Sequence, residues 1–260
     1  MPRRIGDVRV ESIAAESPKF TAPMVLVHGL WCTPAVWRAF MGYFAHRGWS
    51  CTALDLHGDI EPGRSEWDAY TQRLRRVIAA CDAAPVLLGH DLGGLLVLQR
   101  ALPATRAIVA LAPLVPRPIA AAPHPALAGL ITRLAIWRGR PLPPPRGQLA
   151  AGYFGTTPPG GTVAEPAALA RELNRNDFPV MTLGVKVPAL VLAAERDRFC
   201  AADDVRRLAE HASATFQLVR NAGHAMPWEP GWERRVSEIH RWLIQTLGDP
   251  LLVVRDAEEE

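Results

Sequence analysis

Val86-Leu87-Leu88-Gly89-His90-Asp91-Leu92-Gly93-Gly94 is the most informative stretch of this 260-residue chain. Three apolar residues without alternation read as a short strand buried on both faces, the kind found in parallel sheets. A helix follows almost at once, so the chain must change course within about two residues. That forces the central residue into a strained backbone conformation. Gly89 and Gly93 carry no side chain where neighbouring backbones pass close. Asp91 then stands above the carboxyl end of the sheet, and the N-terminus of the new helix favours negative charge there. Two other readings stay open on the residues alone. Asp91 caps the following helix, a role that suits aspartate, or it replaces an original serine.

Short apolar runs and helical patterns alternate on either side, which predicts βα units around a mostly parallel sheet. Strands are expected at residues 8–13 (an edge), 24–27, 51–54, 86–88, 107–111, 189–193 and 216–219. Helices are expected at 34–47, 66–81, 92–102, 203–211 and 232–247. The rhythm breaks between Pro113 and Pro179, where thirteen prolines fall and no strand is convincing. Leu127, Leu130, Ile131, Leu134 and Trp137 share helical spacing there, and residues 164–174 read as a second helix. The stretch is too long for a simple loop and too short for a domain. The expected organisation is a core of residues 1–115 and 186–260 with an inserted lid, residues 116–185.

The glycine-framed elbow, with Val27-His28-Gly29 upstream and Gly223-His224 downstream, resembles the α/β-hydrolase superfamily over roughly residues 22–247. Its Gly-His-Asp-x-Gly-Gly form is similar to the haloalkane dehalogenase and epoxide hydrolase branches, which attack with a carboxylate. The resemblance implies an α/β-hydrolase fold, a mostly parallel central sheet flanked by helices with a small helical lid. It assigns the nucleophile to Asp91, the base to His224 and the orienting acid to Asp197, with Glu195 as the alternative acid. The order nucleophile, acid, histidine is the one this fold uses. The oxyanion donors implied are the backbone N–H groups of Leu92 and Leu30. The remaining histidines read as structural or solvated: His90 inside the elbow, His28 at a strand end, and His46, His57, His124, His211 and His240 without motif context.

An ionised carboxylate needs no base to become nucleophilic. Attack on a saturated carbon would give an alkyl ester. His224 would then deprotonate the water that cleaves it, Asp197 would stabilise the charged imidazole, and backbone N–H groups would bind the oxyanion. Dehalogenases of this type carry tryptophan directly after the nucleophile, where this chain has Leu92; Trp31 and Trp137 are the candidate substitutes. Epoxide hydrolases use two lid tyrosines and a His-Gly-x-Pro run. Here only Tyr153 lies in the lid, and the run is His28-Gly29-Leu30-Trp31. Epoxide-like substrates rank above halides on this comparison. The same run is closer to serine esterases and hydroxynitrile lyases. It keeps open a lyase or cyclase that uses Asp91 and His224 as acid and base on a biosynthetic intermediate. A non-catalytic ligand-binding receptor is a third class, opposed by His224 and Asp197, which a binding pocket does not need.

The hydrophobic fraction of 49% suits a sizeable core. Four scattered cysteines, with no Cys-x-x-Cys pair, argue against a disulfide framework and a zinc site, and no cofactor is expected. A net charge of +3 from dispersed arginines argues against a nucleic-acid partner. No apolar run is long enough to span a bilayer, and residues 1–20 lack a leader pattern. The expectation is a cytoplasmic protein without a membrane partner. A lid rich in Leu, Ala, Ile, Pro and Trp predicts an apolar small-molecule substrate. The acidic tail, residues 256–260, is expected to fray into solvent. Oligomeric state stays open.

Overall fold

The computed structural model describes residues 2–57, 65–100 and 102–248. Its strands are β1 (Pro2–Ile5), β2 (Val8–Ile13), β3 (Met24–Val27), β4 (Cys51–Leu54), β5 (Val86–His90), β6 (Ala107–Leu111), β7 (Ala189–Ala194) and β8 (Thr215–Val219). They form one sheet in the order β1-β2-β4-β3-β5-β6-β7-β8. β1 and β2 run antiparallel at one edge; the six strands from β4 to β8 are parallel. β3, β5, β6 and β7 are buried along their whole length, which is why their sequences are continuously apolar rather than alternating.

Five helices belong to the α/β rhythm: α1 (Arg38–His46), α2 (Glu66–Ala79), α3 (Leu92–Val97), α8 (Ala202–Ala212) and α9 (Trp232–Leu247). Four more, α4 (Pro125–Ala128), α5 (Leu130–Arg138), α6 (Gly147–Phe154) and α7 (Ala167–Leu173), lie between β6 and β7. No helix among the described residues is long and apolar enough to cross a membrane. The register sets the site. Val27 pairs with Gly89 and His90 with Leu111, so the loops leaving β3, β5 and β6 emerge side by side at the carboxyl end of the sheet.

Several local expectations change. β1 is an additional edge strand. The helix expected to reach residue 102 stops at Val97, and α6 was not visible in the apolar spacing. The single apolar row from Leu127 to Trp137 is divided. Gly129 is extended (φ −69°, ψ 169°) and separates α4 from α5. Leu127 is buried, but α5 turns Thr132 and Ala135 inward and leaves Leu130, Ile131 and Trp137 81%, 68% and 78% exposed. The acidic tail lies outside the described residues.

Candidate active site

Asp91 adopts φ 51°, ψ −116°, a region that costs a non-glycine residue roughly 1–3 kcal/mol. The surroundings hold it there. Its N–H donates to the Leu111 carbonyl, and its carbonyl accepts from Leu95 and Leu114. A Cβ on Gly89 would collide with the Gly93 carbonyl, and one on Gly93 with the carbonyls of Val27 and His28. The glycines are therefore required by close approach of three chain segments. Asp91 does not cap α3, because its side chain makes no capping hydrogen bond to the helix. The capping alternative is set aside.

The carboxylate is fully buried and its two oxygens are treated differently. Oδ2 accepts the Leu30 N–H at 2.8 Å and the Tyr153 hydroxyl at 2.5 Å. Oδ1 has no hydrogen-bond partner among the described residues, and His224 Nε2 stands 3.8 Å from it, also unpartnered. On the other side of the imidazole, Nδ1 donates to Asp197 Oδ2 at 2.8 Å. Asp197 Oδ1 is held in turn by the N–H groups of Phe199 and Cys200 at 2.8 and 3.0 Å. Glu195 instead accepts the Asn221 N–H in an exposed loop and takes no part. An Asp91–His224–Asp197 chain is thus brought together by the ends of β5, β7 and β8.

Burial pushes the Asp91 carboxyl above its ordinary range, against the pull of His224, Tyr153, Leu30 and Leu92. Burial alone would lower His224, but the Asp197 carboxylate outweighs it and raises the imidazole. Burial would likewise raise Asp197, yet the charge and hydrogen bond of His224 and two backbone N–H groups hold it low. The arrangement keeps a proton on Nδ1 of His224 and aims Nε2 at Asp91.

Tyr153 closes the site. It is fully buried, its ring lies 4.4 Å from that of His224, and it packs edge-on against Trp31 and Phe199. α6, which carries it, is tied down where Trp228 Nε1 donates to the Phe154 carbonyl. Two clefts lie away from the site. One of about 470 Å³ runs beside His57 and Glu165 and one of about 610 Å³ beside Leu130 and Leu149; neither is lined by Asp91 or His224. Trp137, expected near the substrate, faces solvent, because the break at Gly129 places the large residues of α5 outward. Trp31 does reach the site, but its N–H and indole N–H hold Glu165 and Leu142 of the β6–β7 segment.

Two residues without motif context also belong here. His124, held between Pro123 and Pro125, is buried with both ring nitrogens unpartnered among the described residues. Burial drives its pKa down to about 3, so it is neutral. Phe199 packs against both Tyr153 and His224. His57, expected to be solvated or structural, is a half-buried member of a polar network with Asp55 and Glu165. His90 and His28 make backbone bonds, to the His224 carbonyl and from the Leu56 N–H.

Asp91, His124 and Cys200 bring ligand-type atoms within 4.8 Å of one another, as do Asp197, Cys200 and His224, and separately His28, Asp55 and His57. Burial raises the Cys200 thiol well above its ordinary value, which keeps it protonated and a poor ligand. In the third group the ring nitrogens already hold Leu56, Asp55 and Glu165. All four cysteines are free.

The sequence profile of the Alpha/beta hydrolase family matches residues 24–238. No curated protein matches the sequence significantly. Among solved structures, the monoacylglycerol lipase of Paleococcus ferrophilus is 20% identical over 91% of this chain and 99% of its own, with a TM-score of 0.65. A monoglyceride lipase of Saccharomyces cerevisiae is 13% identical over 95% and 94%, TM-score 0.68. An esterase of Thermogutta terrifontis is 18% identical over 92% and 94%, TM-score 0.65. At these identities the likeness is one of fold.

Proposed function

Because the chain belongs to the alpha/beta hydrolase family, we propose that it is a hydrolase in which Asp91 is the nucleophile, acting on an uncharged, largely apolar small molecule of epoxide-like electrophilicity. One observation carries this reading: the Asp91 carboxylate is divided, with Oδ2 held by Leu30 N–H and Tyr153 OH and Oδ1 left bare beside His224. Oδ1 attacks a saturated ring carbon. The carbon–oxygen bond of the ring breaks, and the departing oxygen takes a proton from Tyr153, with neutral His124 as a second hydrogen-bond donor. Oδ2 becomes the carbonyl oxygen of the alkyl ester, already hydrogen-bonded to the Leu30 N–H, and the Leu92 N–H would join as second donor as charge develops there. His224 then takes a proton from water as the water attacks the ester carbonyl carbon, and Asp197 stabilises the imidazolium. The ester's acyl–oxygen bond breaks, the His224 imidazolium returns its proton to the product alkoxide, the re-formed Asp91 carboxyl gives its proton to the Tyr153 phenolate, and one carboxylate oxygen of Asp91 now comes from water. Residues 116–185 act as the lid, and α6 must move for substrate to reach Oδ1. Tyr153, Phe199 and Trp31 supply the apolar walls.

A second reading, a lyase or cyclase without a covalent intermediate, draws on the raised pKa of Asp91, which suits a carboxylic acid donor beside a base. Intact-mass measurement of His224→Gln with a turned-over epoxide separates the two. An adduct on Asp91 is expected. Its absence, with no oxygen-18 from labelled water entering product over many turnovers of the wild type, would refute the hydrolytic reading.

A further inference from the structure

We propose that the outward face of α5 docks the protein on an anionic lipid surface. α5 presents most of its large apolar residues to solvent, which an isolated globule does not favour. Its small residues, Thr132 and Ala135, are buried, while Leu130, Ile131, Leu134 and Trp137 are exposed. Leu149 on α6 extends the patch across the 610 Å³ cleft beside it. Scattered surface apolar residues need no explanation, but a contiguous patch marks a contact surface.

Charge identifies the contact. Between Pro113 and Ala164 the chain holds five arginines and no aspartate or glutamate. Arg133 and Arg138 are exposed on α5 itself, exposed Arg146 lines the cleft beside the patch, and the Arg138 guanidinium lies 5.8 Å from the centre of the Trp137 ring. A tryptophan and leucines flanked by arginines match the boundary between acyl chains and anionic headgroups. A second copy fits poorly. A two-fold dimer through this face would set arginines against arginines. The sequence-based expectation of no membrane partner rested on the absence of a spanning segment, which an interfacial contact does not require. The docking is independent of the chemistry at Asp91.

The test is sedimentation of the full chain with phosphatidylcholine vesicles, with and without phosphatidylglycerol. Binding is expected to the anionic vesicles, several-fold weaker to the neutral ones, and to fall as salt is raised. Arg133→Gln and Arg138→Gln should each lower partitioning about fivefold. Ile131→Glu/Trp137→Glu should abolish it while circular dichroism and thermal midpoint stay unchanged, both positions being exposed. The proposal is overturned if the wild type stays in the supernatant with anionic vesicles, or if the double variant sediments as the wild type does. It is equally overturned if the wild type is a dimer that the double variant converts to monomer.

Discussion

Replacing the buried Glu165 with glutamine removes one negative charge from a largely buried network while keeping side-chain volume. The Glu165 carboxylate, in the segment before α7, accepts the Trp31 N–H at 2.6 Å, the Tyr70 hydroxyl at 3.0 Å and His57 Nε2–H at 3.0 Å. His57 Nδ1–H donates to Asp55 at 3.1 Å, so the imidazole sits between two carboxylates. Burial would lower its pKa, but its bonds to Asp55 and Glu165 outweigh that and raise it from 6.5 to about 9. A rise of that size corresponds to roughly 3 kcal/mol of stability when His57 is protonated. Asp55 and Glu165 share it, so Glu165→Gln should cost about 1–3 kcal/mol near pH 6. The sign follows from proton binding. The folded state holds more protons than the unfolded between about pH 6.5 and 9, so wild-type stability is complete below about 6.5 and falls toward 9. In the variant that fall should shrink, because less of the rise survives. Urea unfolding of both proteins near pH 6 and near pH 9.5 measures it. Equal stability near pH 6, or an unchanged loss between the two conditions, would refute the assignment.

Three further outcomes follow from the elbow and its cover. Gly93→Ala should destabilise by about 1–3 kcal/mol or more, since the added carbon meets the Val27 and His28 carbonyls; an unaltered melting midpoint would contradict the close approach. Asp91→Asn should abolish turnover yet stabilise the fold by about 1 kcal/mol near neutral pH, because burial raises this carboxyl and so penalises its charged form on folding. A loss of stability would show instead that attraction to His224 dominates. Tyr153→Phe removes the 2.5 Å bond to Asp91 and should lower kcat about a hundredfold or more with KM nearly unchanged; a purely packing role would leave kcat near wild type.

The elbow was legible because its constraint is local. Strand, turn and helix fall within nine consecutive residues, and the glycines, Asp91 and the apolar run each reflect the same crowded turn. His224 and Asp197 were legible as residues following the last two strands. His124 was not. Nothing in its neighbourhood beyond two prolines separates it from a solvated histidine, and only the packing of the β6–β7 segment over the sheet brings it to Asp91. Glu165 and Trp31 are 134 residues apart, and no periodicity reports such a pairing. Tyr153 was singled out by its position in the proline-rich stretch between β6 and β7, but its reach to Oδ2 was not legible there.

The sequence by itself determined the strand–elbow–helix unit, the alternation that builds a parallel sheet, and the chain order of Asp91, Asp197 and His224, since each depends on local backbone chemistry or on element sequence. Only the tertiary structure decided that Asp91 does not cap α3, which oxygen of its carboxylate is bare, and which way α5 faces. Helical spacing shows that residues share a side of a helix; it carries no sign, and the break at Gly129 together with the packing of Thr132 and Ala135 turned that side toward solvent.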